Sequence, residues 1–274
     1  MILKFTKSVI HNSAIISKTA EIGESVDIGP YVVIADNVKI GNNVKIAAHA
    51  VIKSNTIVGD RCFIDNFAVI GGLPQDKNFD ENINSGVKIG NEVVIRENVT
   101  IHRATQKSTY TTIGSGCMLQ SGSHVAHDCI VMDDTVLANC SMLGGHSIVG
   151  NHCFIGGGAA VHQWVRVGDY AILGGYSATA LDLPPYVMSA DRTKIIGLNI
   201  VGLRRANISR ENISNLKKCF MEFYSRTGFA KDRAIKMLNE GYGSCDESKH
   251  FLEFFTSDTH RGFAPLRRKI CFSP

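Results

Sequence analysis

The chain lacks most of the features that would classify it at once. It has no run of about 18 apolar residues, so no membrane-spanning helix is expected. The opening segment MILKFTKSVIHNS (residues 1–13) has no continuous apolar stretch and no small-residue cleavage site, so no signal peptide is expected. A net charge of +4 is too small to argue for nucleic acid or a membrane surface. Of the eight cysteines none stands in a C-x-x-C pair, which speaks against a structural zinc site. In the cytoplasm, the expected compartment, they should remain thiols. What is left is an ordinary soluble composition, 44% apolar and 20% charged, long enough to bury a large core.

What the chain does have is a period of six. Ile10, Ile16, Ile22, Ile28, Ile34, Ile40, Ile46, Ile52, Val58 and Ile64 form one unbroken series. It resumes at Ile89 and Ile95, then runs from Ile113 to Leu173, and every member is Ile, Val or Leu. The residue four positions on, from Ala14 to Ser177, is always Ala, Ser, Thr, Cys or Val. A helical period cannot produce this pattern. A large residue and then a small one suit short strands meeting at corners around a narrow interior. Cys62, Cys117, Cys129 and Cys153 fill the small slot and read as buried, inert thiols. Glycine often follows the large residue, as in Ile22-Gly23, and is expected to relieve positive φ at the corners.

The repeat resembles the hexapeptide acyltransferases. That resemblance implies a mainly β protein, a left-handed parallel β-helix with three hexads per coil, so that residues 18 apart stack about 4.8 Å from one another. The β-helix is expected over 1–200, with loops leaving it at 71–88, where the series slips by one residue, and at 103–112. Residues 201–274 read as a C-terminal helical domain placed to close the open end of the prism. Ser209 is a candidate N-cap, Ile213, Leu216, Phe220 and Phe223 follow helical spacing, and further helices are expected over 231–239 and 247–255.

Four histidines lie in the repeat at related positions: His124, His127, His146 and His162. Steps close to one coil predict a ladder of His127, His146 and His162, with His102 joining from below. None occupies an inward slot, so the rings should face outward, where an imidazole can act as a general base near neutral pH. Asp128 follows His127 and would support such a base. Neighbours in a strand point to opposite faces, so contact between them requires a corner. Gly144-Gly145 offers a backbone amide for an oxyanion.

GGLPQD (71–76), IRENVTIHRAT (95–105), HVAHDC (124–129), LGGH (143–146), AVHQW (160–164), DLPPYV (182–187), GLNIVGLRR (197–205) and FFTSDTHRG (254–262) together resemble the UDP-N-acetylglucosamine O-acyltransferase family of lipid A assembly. The resemblance covers nearly the whole chain. It implies transfer of a 3-hydroxyacyl chain from acyl carrier protein to the glucosamine 3-hydroxyl. His127 then matches the general base, Asp128 its support and Gly145 the oxyanion amide. Gln75 and Asp76 match contacts to the sugar. His102, His124, His146, His162 and Gln163 match positions lining the ligand. Asn199 and Arg205 match positions around the nucleotide, and Gly175 the place where side-chain size limits acyl length. It also implies a homotrimer with sites between subunits, no metal and no cofactor, the donor carrying its own phosphopantetheine. Val201 and Ala206 stand where relatives often carry an acidic and a basic residue. The alternatives are the same chemistry on a 3-amino UDP-sugar, an acetyl-CoA-dependent sugar acetyltransferase, a lyase of the γ-carbonic anhydrase type with zinc on its histidines, and a non-catalytic binding scaffold.

Overall fold

The computed structural model describes residues 8–267. Part of the segment read for a signal peptide, residues 1–7, and Cys271 lie outside the described residues. The described residues wind as a left-handed parallel β-helix whose walls belong to three sheets of 11, 9 and 8 strands. Most rungs are only two residues long. Beyond the first coil the large residue of each rung is buried and the outward one is exposed or half-buried, as in Lys39–Ile40 and Lys45–Ile46. The vertical register is one coil: Ile15 pairs with Val33 and Val33 with Val51. The small residues at the next corner are buried as well, Val26, Ala50 and Cys129 completely. Burial pushes the thiols of Cys117 and Cys129 up to about 11 and that of Cys153 to about 12, which suits packing and not reactivity.

The glycines after the large residues serve a purpose other than the expected one. Positive φ falls two residues further on, at Ser25, Asn43, Asp128, His146 and Trp164 among others. Gly23 and Gly41 are instead points of close approach: a Cβ on Gly23 would stand 2.6 Å from the Gly41 carbonyl oxygen of the next coil.

The excursions are tighter than the sequence suggests, because strands run into both ends of each. The first lies between Val69–Gly72 and Gly86–Ile89, the second between Thr100–His102 and Tyr110–Ile113. Gly86–Ile89 pairs with Tyr110–Ile113, which carries the ladder across the break. The buried Arg103 joins the two excursions. It donates to the carbonyls of Glu81 (2.7 Å) and Ile83 (3.2 Å) and lies 5.1 Å over the Phe79 ring.

The last coil is followed by an antiparallel hairpin, Val187–Ala190 and Lys194–Leu198. Among the described residues four helices then follow: α1 (Ile200–Arg205), α2 (Arg210–Ser225), α3 (Ala230–Asn239) and α4 (Asp246–Thr256). Ser209 caps α2 by accepting from the Asn212 amide at 3.0 Å. Ile213, Leu216, Phe220 and Phe223 form its buried face, and Phe223 stacks on Phe255 of α4 at 4.1 Å. After α4 the chain returns to the prism, with Phe263 bridging Asp182 and Leu266 bridging Ile195. This return brings the C-terminal motif to the histidines.

Candidate active site

Three adjacent columns of the coil stack carry the histidine motifs. Stacking by 18 places Ala126 below Gly144 and His162, His127 below Gly145 and Gln163, and Asp128 below His146 and Trp164. Backbone bonds fix this register, from His146 N to His127 O and from Trp164 N to Gly145 O, both 3.0 Å. The expected ladder is therefore corrected at its upper step. His127 meets His146 edge to face at 5.2 Å, but the ring above His146 is Trp164, stacked at 3.8 Å and 3°. His162 lies two columns away and is exposed, because its step from His146 falls short of a full coil.

The neighbours His127 and Asp128 do meet, because Asp128 sits in the corner with φ of 60°. Their separation is 2.8 Å from Nδ1 to Oδ2. A carboxylate only accepts, so Nδ1 carries a proton, and in the neutral ring the lone pair falls on Nε2. The carboxylate is itself held. The Thr105 amide donates to it at 3.0 and 3.2 Å and the Thr105 hydroxyl at 2.8 Å, while the Asp128 amide donates to the Thr111 hydroxyl at 2.8 Å. Burial alone would raise the Asp128 carboxyl, but the bonds from His127 and Thr105 outweigh it and hold the group below its ordinary value.

Gly145 must be glycine for a reason of packing. A Cβ there would stand 2.6 Å from Cε1 and 2.7 Å from Nε2 of His127. The ring leans over a bare backbone whose N–H has no acceptor among the described residues. The imidazole thus lies against the residue that offers the free amide, an arrangement suited to acyl transfer.

His102 and His124 form a second pair, edge to face at 4.8 Å, with His124 Nδ1 2.7 Å from the Thr100 hydroxyl. Burial lowers His102 to about 4, helped by the charges that His124 and His127 can carry. Burial and His127 lower His124 too, and burial lowers His146 against the pull of Asp128. These rings are held neutral, as hydrogen-bonding groups and not cations.

The other candidates are dispersed within one chain. Gln75 and Asp76 lie in the first excursion, where Asp76 accepts from the Asn78 amide at 2.9 Å. Gly175 sits at an open corner, where a Cβ would meet only the Gly157 oxygen at 3.4 Å. Arg205 ends α1. Asn199 is buried and caps that helix, accepting from Gly202 N at 2.9 Å and donating to Tyr170 O at 2.8 Å. Sequence reasoning missed α1, Thr105, Trp164 and His260, the last of which reaches Trp164 at 4.8 Å. Asn199 with Gly202 was a readable signal for α1; the loop and C-terminal contacts carry no period. His127, Asp128 and His146 also offer ligand atoms within 4.8 Å of one another, a set that could take a divalent cation.

Comparison with known proteins decides between these chemistries. A model described as UDP-N-acetylglucosamine O-acyltransferase, domain 2, matches residues 182–264, and hexapeptide transferase repeats match 19–54, 37–72 and 110–145. An acyl-[acyl-carrier-protein]–UDP-N-acetylglucosamine O-acyltransferase of Campylobacter lari is 43% identical over 206 residues, 74% of this chain and 76% of the relative. The chain belongs to the UDP-N-acetylglucosamine O-acyltransferase family. The crystal structure of the UDP-N-acetylglucosamine acyltransferase of Bacteroides fragilis superposes with a TM-score of 0.87 at 34% identity, covering 93% of this chain and 99% of that one. The Campylobacter jejuni acyltransferase gives 0.87 at 32%, over 94% and 100%. The chain is thus an acyltransferase, and its helices fall within the stretch matched by the domain 2 model. Among the described residues no helix is long and apolar enough to cross a membrane.

Proposed function

We propose that the protein transfers a 3-hydroxyacyl chain from acyl carrier protein to the 3-hydroxyl of UDP-N-acetylglucosamine, the first step of lipid A biosynthesis, with His127 as general base. The observation that carries this reading is the His127 ring, held at Nδ1 by Asp128 and leaning over the free amide of Gly145. Nε2 takes the proton of the acceptor hydroxyl as its oxygen attacks the thioester carbonyl. The Gly145 N–H donates to the resulting oxyanion. Collapse breaks the C–S bond, and the phosphopantetheine thiolate recovers the proton from Nε2. The balance closes without a metal, a cofactor or a covalent enzyme intermediate.

Around this centre the reading assigns roles to the remaining groups. Gln75 and Asp76 bind the sugar, and His102, His124, His146, His162 and Gln163 line the substrates. Asn199 and Arg205 stand at the nucleotide, Asn199 by shaping the start of α1, which its side chain caps. Gly175 leaves room for the acyl chain. The assembly is a homotrimer with the site completed between subunits, and the flat walls of the prism suit a three-fold arrangement. The compartment is that of both proposed substrates, the cytoplasm.

One assay tests the reading. The protein is incubated with 3-hydroxyacyl carrier proteins of several lengths and with UDP-N-acetylglucosamine or its 3-amino analogue, and products are identified by mass. An O-linked 3-hydroxyacyl product, with His127→Ala at least about 100-fold slower, is expected. Transfer only to the 3-amino sugar, transfer of acetyl from acetyl-CoA instead, or full activity in His127→Ala would refute it.

A further inference from the structure

The C-terminal motif SDTHRG (257–262) lies outside the prism in sequence, yet it docks on the site columns. Arg261 Nε donates to the Gln163 carbonyl at 2.9 Å. Thr259 closes the turn by accepting from the amides of Arg261 (3.1 Å) and Gly262 (3.0 Å). His260 meets Trp164 at a tilt, centroids 4.8 Å apart at 44°, and Trp164 in turn stacks on His146. His146 Nε2 is 3.6 Å from Asp128 Oδ2, the oxygen that holds His127. A continuous chain of ring contacts therefore runs from the C-terminal segment to the proposed base.

We propose that His260 and Trp164 are positioning residues, which hold His146 against Asp128 and so make the segment after α4 a working part of the active centre. The proposal rests on the general-base reading of His127 only for its effect on rate; the placement of His146 can be tested without substrate. His260 is exposed, so its replacement leaves the packed core untouched. The titratable groups facing His146 are Asp128 and His127 from the coil below and His260 from the C-terminal segment. Without His260 the stack loosens, water reaches His146, and a charge that opposes its protonation is removed.

The test uses the full chain with ring-nitrogen-labelled histidine and compares wild type, His260→Ala and His260→Phe. In His260→Ala the His146 ring should titrate at higher pH than in wild type, kcat/KM should fall about 10-fold, and thermal unfolding should stay within a few degrees. His260→Phe keeps an aromatic face on the indole and should recover kcat/KM to within about threefold of wild type. An unchanged His146 titration in His260→Ala, or His260→Phe as impaired as His260→Ala, overturns the proposal. A wild-type protein without acyl transfer overturns the functional reading and leaves the titration result standing on its own.

Discussion

Gly145→Ala isolates the contact on which the proposed chemistry depends. The new Cβ would stand 2.6 Å from Cε1 of His127, where ordinary contact begins near 3.4 Å, so the ring must withdraw by about 1 Å. It cannot do so freely, because Nδ1 is tied to Asp128 at 2.8 Å. Displacement by that amount takes the pair beyond useful hydrogen-bonding range. A misplacement of about 1 Å at a reacting group costs about 100-fold in rate, or about 2.7 kcal/mol of transition-state stabilisation. The fold loses at most one charge-assisted hydrogen bond, about 1 to 2 kcal/mol, which lowers the melting temperature by a few degrees. Initial rates with acyl carrier protein and sugar nucleotide, measured beside thermal unfolding, separate the two effects. Gly157→Ala is the matched control, since its Cβ meets only the Asn139 oxygen at 3.5 Å and the fold should be unchanged. Were Gly145→Ala to keep kcat/KM within about threefold of wild type, the close packing of ring on backbone would have no catalytic meaning.

Three further outcomes are expected. Asp128→Asn should lower kcat by about 1,000-fold or more with the fold intact, because an amide can donate to Nδ1 and force the proton onto Nε2; saturating-substrate rates and unfolding curves check this. His102 is lowered from 6.5 to about 4 by burial, so its neutral form is favoured in the folded state. That contribution is complete above about pH 6.5 and is lost as pH falls toward 4, a gap worth about 3 kcal/mol. Urea unfolding across this window should show the loss, and His102→Phe should flatten it. Iodoacetamide at mild alkaline pH should label exposed Cys140 well before buried Cys117, Cys129 and Cys153, read by peptide mass mapping; equal rates would contradict the packed interior.

The walls of the prism were legible because each buried position repeats every six residues, and burial imposes one residue class per slot. The buried face of α2 was legible through its own period, in Ile213, Leu216, Phe220 and Phe223. The ladder was only half legible. His127 and His146 were placed together correctly, but the strict step of one coil selects Trp164 above His146, and an aromatic ring carries no mark that separates it from core. Asp128 could be paired with His127 only by knowing that the corner falls between them, and that position is set by backbone φ and not by glycine. Thr105 and His260 reach the site from a loop and from a distant segment, where docking and not periodicity decides the neighbour.

The fixed vertical register also constrains how such a molecule can change. Stacking partners lie one coil apart, as Glu24 and Asn42 do with a separation of 18. The coil stack therefore reads its own sequence in a frame. A corner can swell into a loop without disturbing that frame, as happens on either side of Gly86–Ile89, and a whole coil can be gained or lost with every wall still aligned. Loss of one residue between Asp128 and His146 is different. It would rotate all later side chains by one column, turn His146 away from Asp128 and drive large residues into slots that fit only small ones. Variation in these active sites should accordingly arise at corners and by whole coils, with single-residue insertions and deletions within the rungs excluded.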